Sequence, residues 1–140
     1  MSLVLDSSLA LSWYFEDERT ARSDALLDQV VDQGAVVPAL WRLEIANGFQ
    51  MAIRRKRIDP AFRDRALAAL GTMEIIVDPD TDNNAWTTTL HLSDRFRLTV
   101  YDATYLELAQ RRRLPLASLD QPLCRAAAAL GLTVLGRKPT

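Results

Sequence analysis

In 140 residues the chain has one cysteine, Cys124, and one histidine, His91. A single thiol excludes an internal disulfide and fits a reducing compartment; Leu123-Cys124-Arg125-Ala126 reads as helix with an inert, buried thiol. With no second histidine and no cysteine near it, His91 completes neither a zinc site nor a Ser-His-Asp triad. No apolar run approaches the ~18 residues of a membrane span. The N-terminus lacks the basic and apolar segments of a secretory signal. These absences lead us to expect a soluble, cytoplasmic protein. Net positive charge is missing too: the formal charge is −1, the pI about 5.8, and the only lysines are Lys56 and Lys138. Bulk attraction for a polyanion is thereby excluded, and any such contact needs local basic patches.

What is present suffices for one domain of ordinary size, residues 1–140, with 49% hydrophobic and 25% charged residues and no repeat or linker. Short, non-alternating apolar runs at Leu3–Leu5, Ala35–Val37, Glu74–Val77, Pro115–Ala117 and Thr133–Leu135 suit parallel strands buried on both faces. Helical periodicity lies between them. Ala25, Leu26, Val30 and Val31 mark one apolar face, and Leu40, Leu43, Ala46, Phe49 and Ile53 another. Asp59-Pro60 caps a helix that Gly71 ends. Further helices are expected over Asp82 to Arg95, Asp102 to Arg112, and from Pro122 to Leu130-Gly131. The alternation predicts an α/β fold, a three-layer α/β/α sandwich around a mostly parallel sheet of four to five short strands.

Four acids punctuate these elements. Asp6 follows the first strand, Glu44 sits in the otherwise apolar start of a helix, Asp102 opens another, and Asp120 follows Leu116-Ala117-Ser118-Leu119. Ligands of open α/β sheets bind outside the carboxyl ends of the strands, where Asp6 and Asp120 belong. Buried, unpaired carboxylates are costly and need a cation or a proton. An all-oxygen donor set selects hard ions such as Mg²⁺ or Mn²⁺. Each acid also has a plainer reading: Asp102 as an N-cap, Asp120 as a loop acid before Pro122, Asp6 as a cap on Ser7-Ser8. Glu44 resists one, because a helix N-terminus does not explain an acid among apolar neighbours.

Other features carry less. Asp78-Pro79-Asp80-Thr81-Asp82 begins like a calcium loop, but Asn83 and Thr89 stand where glycine and glutamate are required. Arg54-Arg55-Lys56-Arg57 and Arg111-Arg112-Arg113 fall near helix C-termini; they read as solvated faces or as phosphate contacts. Trp13, Tyr14 and Phe15 read as core. A phospho-receiver domain would need an acidic pair after the first strand and a lysine after the fifth. A dehalogenase-type phosphatase would need an Asp where Ser8 stands.

The surroundings of the acids resemble a known family. Val4-Leu5-Asp6-Ser7-Ser8, with Leu11 to Glu16, is similar to the opening of PIN-domain proteins, especially VapC-type toxins of bacterial toxin–antitoxin pairs. Glu44-Ile45-Ala46-Asn47 looks like their acidic helix motif. Leu98 to Leu106, around Asp102, resembles the third motif, and Leu116 to Asp120 the fourth. The resemblance spans nearly the whole chain. It implies a Mg²⁺-dependent endoribonuclease, with Mn²⁺ as a substitute, in which a metal-activated water attacks an RNA phosphodiester. Asp6 and Asp102 would hold the ion and Glu44 and Asp120 would complete the site. Ser8, Asn47 and Ser118 would hydrogen-bond the carboxylates. It further implies a homodimer and a small cognate antitoxin seated in a hydrophobic groove near Trp13 to Phe15. The alternative is a PIN-like module that binds RNA or protein with little catalysis.

Overall fold

The computed structural model describes residues 2–136; Met1 and residues 137–140, Lys138 among them, lie outside it. Five strands, β1 (Val4–Leu5), β2 (Ala35–Val37), β3 (Ile75–Val77), β4 (Leu116–Ala117) and β5 (Val134–Leu135), form one sheet in the order β3-β2-β1-β4-β5. Every pairing is parallel, so the sheet is wholly rather than mostly parallel. Helices flank it as α1 (Ser7–Ser12), α2 (Ala21–Gln33), α3 (Trp41–Arg54), α4 (Pro60–Gly71), α5 (Thr88–Phe96), α6 (Val100–Arg112) and α7 (Gln121–Ala129). The result is the expected three-layer α/β/α arrangement.

The chain begins at the middle of the sheet, moves outward through β2 and β3, and returns to the other side of β1 as β4. Strand order therefore reverses between β1 and β4, the place where open parallel sheets form a crevice at their carboxyl ends. Asp6 leaves β1 there, and Ser118 to Asp120 leave β4. The central strands have no access to solvent: Leu3, Val4, Leu5, Leu116 and Ala117 are all fully buried.

Short polar signals start the helices. Thr20 and Ser23 exchange a capping box at α2. Asp59 Oδ1 accepts from the Phe62 N–H at 2.8 Å before Pro60 opens α4. Gly34 ends α2 at φ 78°, and a Cβ there would stand 2.7 Å from the Glu74 carbonyl oxygen. Only glycine fits that junction.

Four expectations need correction. The stretch Asp82 to Arg95 is not one helix: a 3₁₀ turn at Asp82–Asn84 precedes α5, and Thr87 breaks the path at φ −123°, ψ −100°. The buried stripe of α3 is Trp41, Ile45, Phe49 and Ala52, whereas Leu43 is 76% exposed. Phe49 lies where expected, but the three-residue steps from Leu40 through Leu43 to Ala46 leave the buried face, which runs at four-residue spacing from Trp41 through Ile45 to Phe49. In α2 the inward residues are Ser23, Leu26 and Val30, and Val31 faces out. Finally, β3 is not covered on both faces; Ile76 and Val77 are exposed because β3 is an edge strand.

Candidate metal centre

Asp6 stands at the N-cap position of α1 with extended backbone, yet its side chain caps nothing. Ser8 Oγ and Ser118 Oγ each donate to its Oδ2 at 2.7 Å. Both hydroxyls land on one oxygen, so Oδ1 is the face left to another ligand. The residue is only 4% exposed. Burial pushes its carboxyl above the ordinary range, the two serines partly offset this, and the charges of Asp102 and Asp120 push it further up.

Glu44 lies in the first turn of α3 and reaches back toward α1 and α6. Ser7 Oγ donates to its Oε1 at 3.3 Å, and the buried Tyr105 hydroxyl makes a second, short bond to the same oxygen. Desolvation raises the Glu44 carboxyl, as do the charges of Asp6 and Asp102, against the pull of the two hydroxyls. Burial raises the Tyr105 phenol far above its usual range, helped by Asp6 and Glu44, so it stays a neutral donor. The approach of α1 to α3 depends on Gly48, where a Cβ would meet Leu11 Cδ1 at 2.4 Å.

Asp102 is half-buried in the first turn of α6. The cap is Thr99, whose Oγ1 accepts from the Asp102 N–H at 3.1 Å, so the carboxylate is not consumed as an N-cap. The helix begins two residues earlier than expected, at Val100. Desolvation and the neighbouring Asp120 charge raise the Asp102 carboxyl. Asp120 does serve locally: its Oδ2 accepts from the Leu123 N–H at 2.9 Å at the start of α7. Its own N–H donates to Ser118 Oγ at 3.0 Å, and that hydroxyl passes the link on to Asp6.

Four carboxylates from four segments thus feel one another at the carboxyl rim. Among the described residues no ion pair involves any of them: the arginines of the ion pairs engage Asp17, Glu18, Asp24, Asp64, Asp78 and Glu107 instead. The donor set is all oxygen, negative and uncompensated, which fits a hard divalent cation. Among the described residues no three acids, histidines or cysteines are arranged to enclose an ion unaided.

Of the three residues expected to hydrogen-bond the carboxylates, Ser8 and Ser118 both donate to Asp6. Asn47, one turn beyond Glu44, is exposed, and no hydrogen bond joins it to any of the four acids among the described residues. Two residues at the site were not singled out from sequence, Ser7 and Tyr105. Tyr105 had a signal: it follows Asp102 by three residues, which puts both on one helical face.

The calcium-like segment does something else. Asp78, 1% exposed, receives Arg111 on both oxygens at 3.2 and 2.6 Å and Arg112 at 3.0 Å. Arg111, partly buried, and Arg112, exposed at the rim, therefore both pair with a buried carboxylate. Arg57 is likewise engaged, pairing with Asp17 and Glu18 and covering the Phe15 ring at 4.4 Å. Trp13 and Phe15 are core, as expected, with Trp13 Nε1 donating to the Ser23 carbonyl at 2.8 Å. Tyr14 lines an open groove of about 940 Å³ with Phe15, Ile53, Ile58 and Phe62, away from the four acids.

The PIN-domain family model matches residues 3–129, and the chain belongs to that family. No curated protein sequence matches it. Three solved structures share the fold. PAE2754 from Pyrobaculum aerophilum is 23% identical, with a TM-score of 0.69 over 96% of this chain and 92% of that one. FitAcB from Neisseria gonorrhoeae is 15% identical, with a TM-score of 0.65 over 97% of both chains. A toxin–antitoxin complex from Klebsiella pneumoniae is 18% identical, with a TM-score of 0.63 over 96% of both. No helix among the described residues is long and apolar enough to cross a membrane.

Proposed function

We propose that the protein is a Mg²⁺-dependent endoribonuclease, with Mn²⁺ able to replace Mg²⁺, and that it acts in the cytoplasm as the toxin of a toxin–antitoxin pair. PIN domains are generally nucleases. The observation that carries the reading is the gathering of Asp6, Glu44, Asp102 and Asp120 at one rim, with no ion pair to any of them among the described residues.

In this reading Asp6 and Asp102 would hold the ion, and Glu44 and Asp120 would complete the site. A bound divalent ion supplies a nucleophilic water at neutral pH and offsets charge on the phosphate. Ser8 and Ser118 favour the ionised form of Asp6 against the larger effect of its burial, and fix its rotamer. Ser7 and Tyr105 do the same for Glu44, whose second oxygen stays available to orient a water.

The toxin role is supported by the fold shared with the Klebsiella toxin–antitoxin complex and by the groove beside Tyr14, whose apolar floor and mixed rim of Glu16, Asp17, Asp59, Lys56, Arg57 and Arg65 offer a seat for a small partner. A homodimer is part of the proposal.

The test is cleavage of RNA by the purified chain in Mg²⁺, in EDTA, and as Asp6→Asn and Asp102→Asn. We expect cleavage only by the wild type with metal. Full activity of either variant in saturating Mg²⁺ overturns the mechanism. RNA bound but never cut by the wild type would make the protein a binding module.

A further inference from the structure

The ion cluster around Asp78 joins the two elements that carry opposite sides of the acidic site. Starting at β2, the Ala39 N–H in the β2–α3 turn donates to Thr81 Oγ1 at 3.1 Å, and that hydroxyl lies 3.0 Å from Asp78 Oδ2. The Asp78 N–H donates to the Val37 carbonyl at 2.8 Å. Arg111 of α6 clasps Asp78 with one edge of its guanidinium. With Nε and Nη2 it clasps Glu107, one turn back on the same helix, at 2.7 and 3.1 Å. Asp78 and Glu107 are buried and Arg111 is mostly so. Five residues after Ala39, α3 presents Glu44. Two residues before Glu107, α6 presents Tyr105, and three residues earlier Asp102.

Such a cluster is a poor way to gain stability. Desolvating ions costs about as much as their pairing returns, and apolar replacements of similar volume are often neutral or better. What a guanidinium with two carboxylates provides is direction: two planar forks allow one arrangement, whereas packed leucines allow several.

We propose that Asp78, Glu107 and Arg111 are positioning residues for the carboxylate site. Their cluster locks the β2–α3 turn to α6, and so fixes Glu44 against Tyr105 and beside Asp102. Arg112 braces Asp78 from the rim of the cluster. The inference rests on the proposed metal centre for its functional consequence, but the lock itself does not.

The test uses the full chain in two forms: Arg111→Lys, which keeps the charge and loses the forks, and the triple replacement Asp78→Leu, Glu107→Leu, Arg111→Met, which removes the ions and keeps the bulk. Two readouts are taken well below the melting temperature: Mn²⁺ affinity of the free protein, and amide hydrogen exchange at residues 39–46 and 102–106. We expect at least about tenfold weaker Mn²⁺ binding in both, the size seen when support behind metal ligands is lost. Exchange should quicken in those two segments and not in α7. The triple variant should show this while melting close to the wild type. Wild-type affinity and wild-type exchange in either folded variant overturn the proposal. Loss of affinity with unchanged exchange overturns it too, because the lock would then play no part. A wild type that binds no Mn²⁺ counts against the metal centre, while the exchange pattern still decides the lock.

Discussion

Ser118 Oγ donates to Asp6 Oδ2 at 2.7 Å across 112 positions of sequence, and the same oxygen accepts the N–H of Asp120 at 3.0 Å. One hydroxyl therefore joins the acid at the end of β1 to the acid beyond β4, the two strands that flank the reversal of strand order. Ser118→Ala removes the donor to Asp6 and strands the Asp120 N–H. We expect metal affinity to fall by roughly tenfold or more, with a stability cost of about 1–3 kcal/mol for the group left unpaired. Titration with Mn²⁺ and a denaturant melt measure the two separately. Unchanged affinity would remove Ser118 from the site.

Asp6, Glu44 and Asp102 all have carboxyls raised first by burial and then by neighbouring carboxylates: Asp102 and Asp120 act on Asp6, Asp6 and Asp102 on Glu44, and Asp120 on Asp102. Groups raised in this direction favour the folded chain while protonated and oppose it as pH climbs through the raised values. In EDTA the wild type should lose stability from weakly acidic toward neutral pH. Asp6→Asn removes one charge and keeps the acceptor for both serines. It should melt above the wild type at pH 8 in EDTA, with the gap closing as the pH approaches the ordinary value of 3.8. Added Mg²⁺ or Mn²⁺ should stabilise the wild type and leave the variant unmoved. A variant that melts lower than the wild type at pH 8 contradicts this.

Asp78 runs the other way. Burial pushes its carboxyl up, but Arg111, Arg112 and Thr81 outweigh it and hold it down at about 2. A depressed value contributes stability above the unfolded value and loses it as pH falls through the folded one. Taking 3.8 for the unfolded chain, the contribution is about 2 kcal/mol at neutral pH, lost between about pH 4 and pH 2. Acid unfolding of Asp78→Asn should lack that slope and start from a less stable protein, since a broken buried pair costs about 3–5 kcal/mol. An unaltered acid limb would mean that the arginines do not hold Asp78.

Arg54 and Arg55 end α3, and Glu44 begins it. Ten residues of helix separate the two by about 15 Å. Replacing both arginines by Gln should leave the KM for a short RNA oligonucleotide and its salt dependence unchanged. A salt slope flatter by about one per removed contact would place phosphates against them.

The parallel layers and the order of elements were legible because short β-branched runs and capped periodic segments alternate without ambiguity. All four acids were legible as well, since each interrupts or ends an apolar stretch. What stayed hidden needed tertiary pairing. Asp78 and Arg111 lie 33 positions apart, and nothing in either neighbourhood announces the other. Asp78 opens a segment that only begins like a calcium loop, and Arg111 reads as a solvated cation or a phosphate contact, because local pattern cannot report a partner. Leu43 misled for a related reason: a leucine at helical spacing is apolar whichever way it faces. Asn47 drew attention by its distance from Glu44 along the chain, yet one turn of helix turned it to solvent.

Because β4 pairs with β1, the first strand of the sheet waits for one of the last. A nascent chain that has emerged only as far as α6 has Asp6, Glu44 and Asp102, but Asp6 has neither its Ser118 donor nor the strand that shields it. Closing so long a loop is slow relative to local helix formation. The four acids are therefore not all set in place until β4 has emerged and paired with β1.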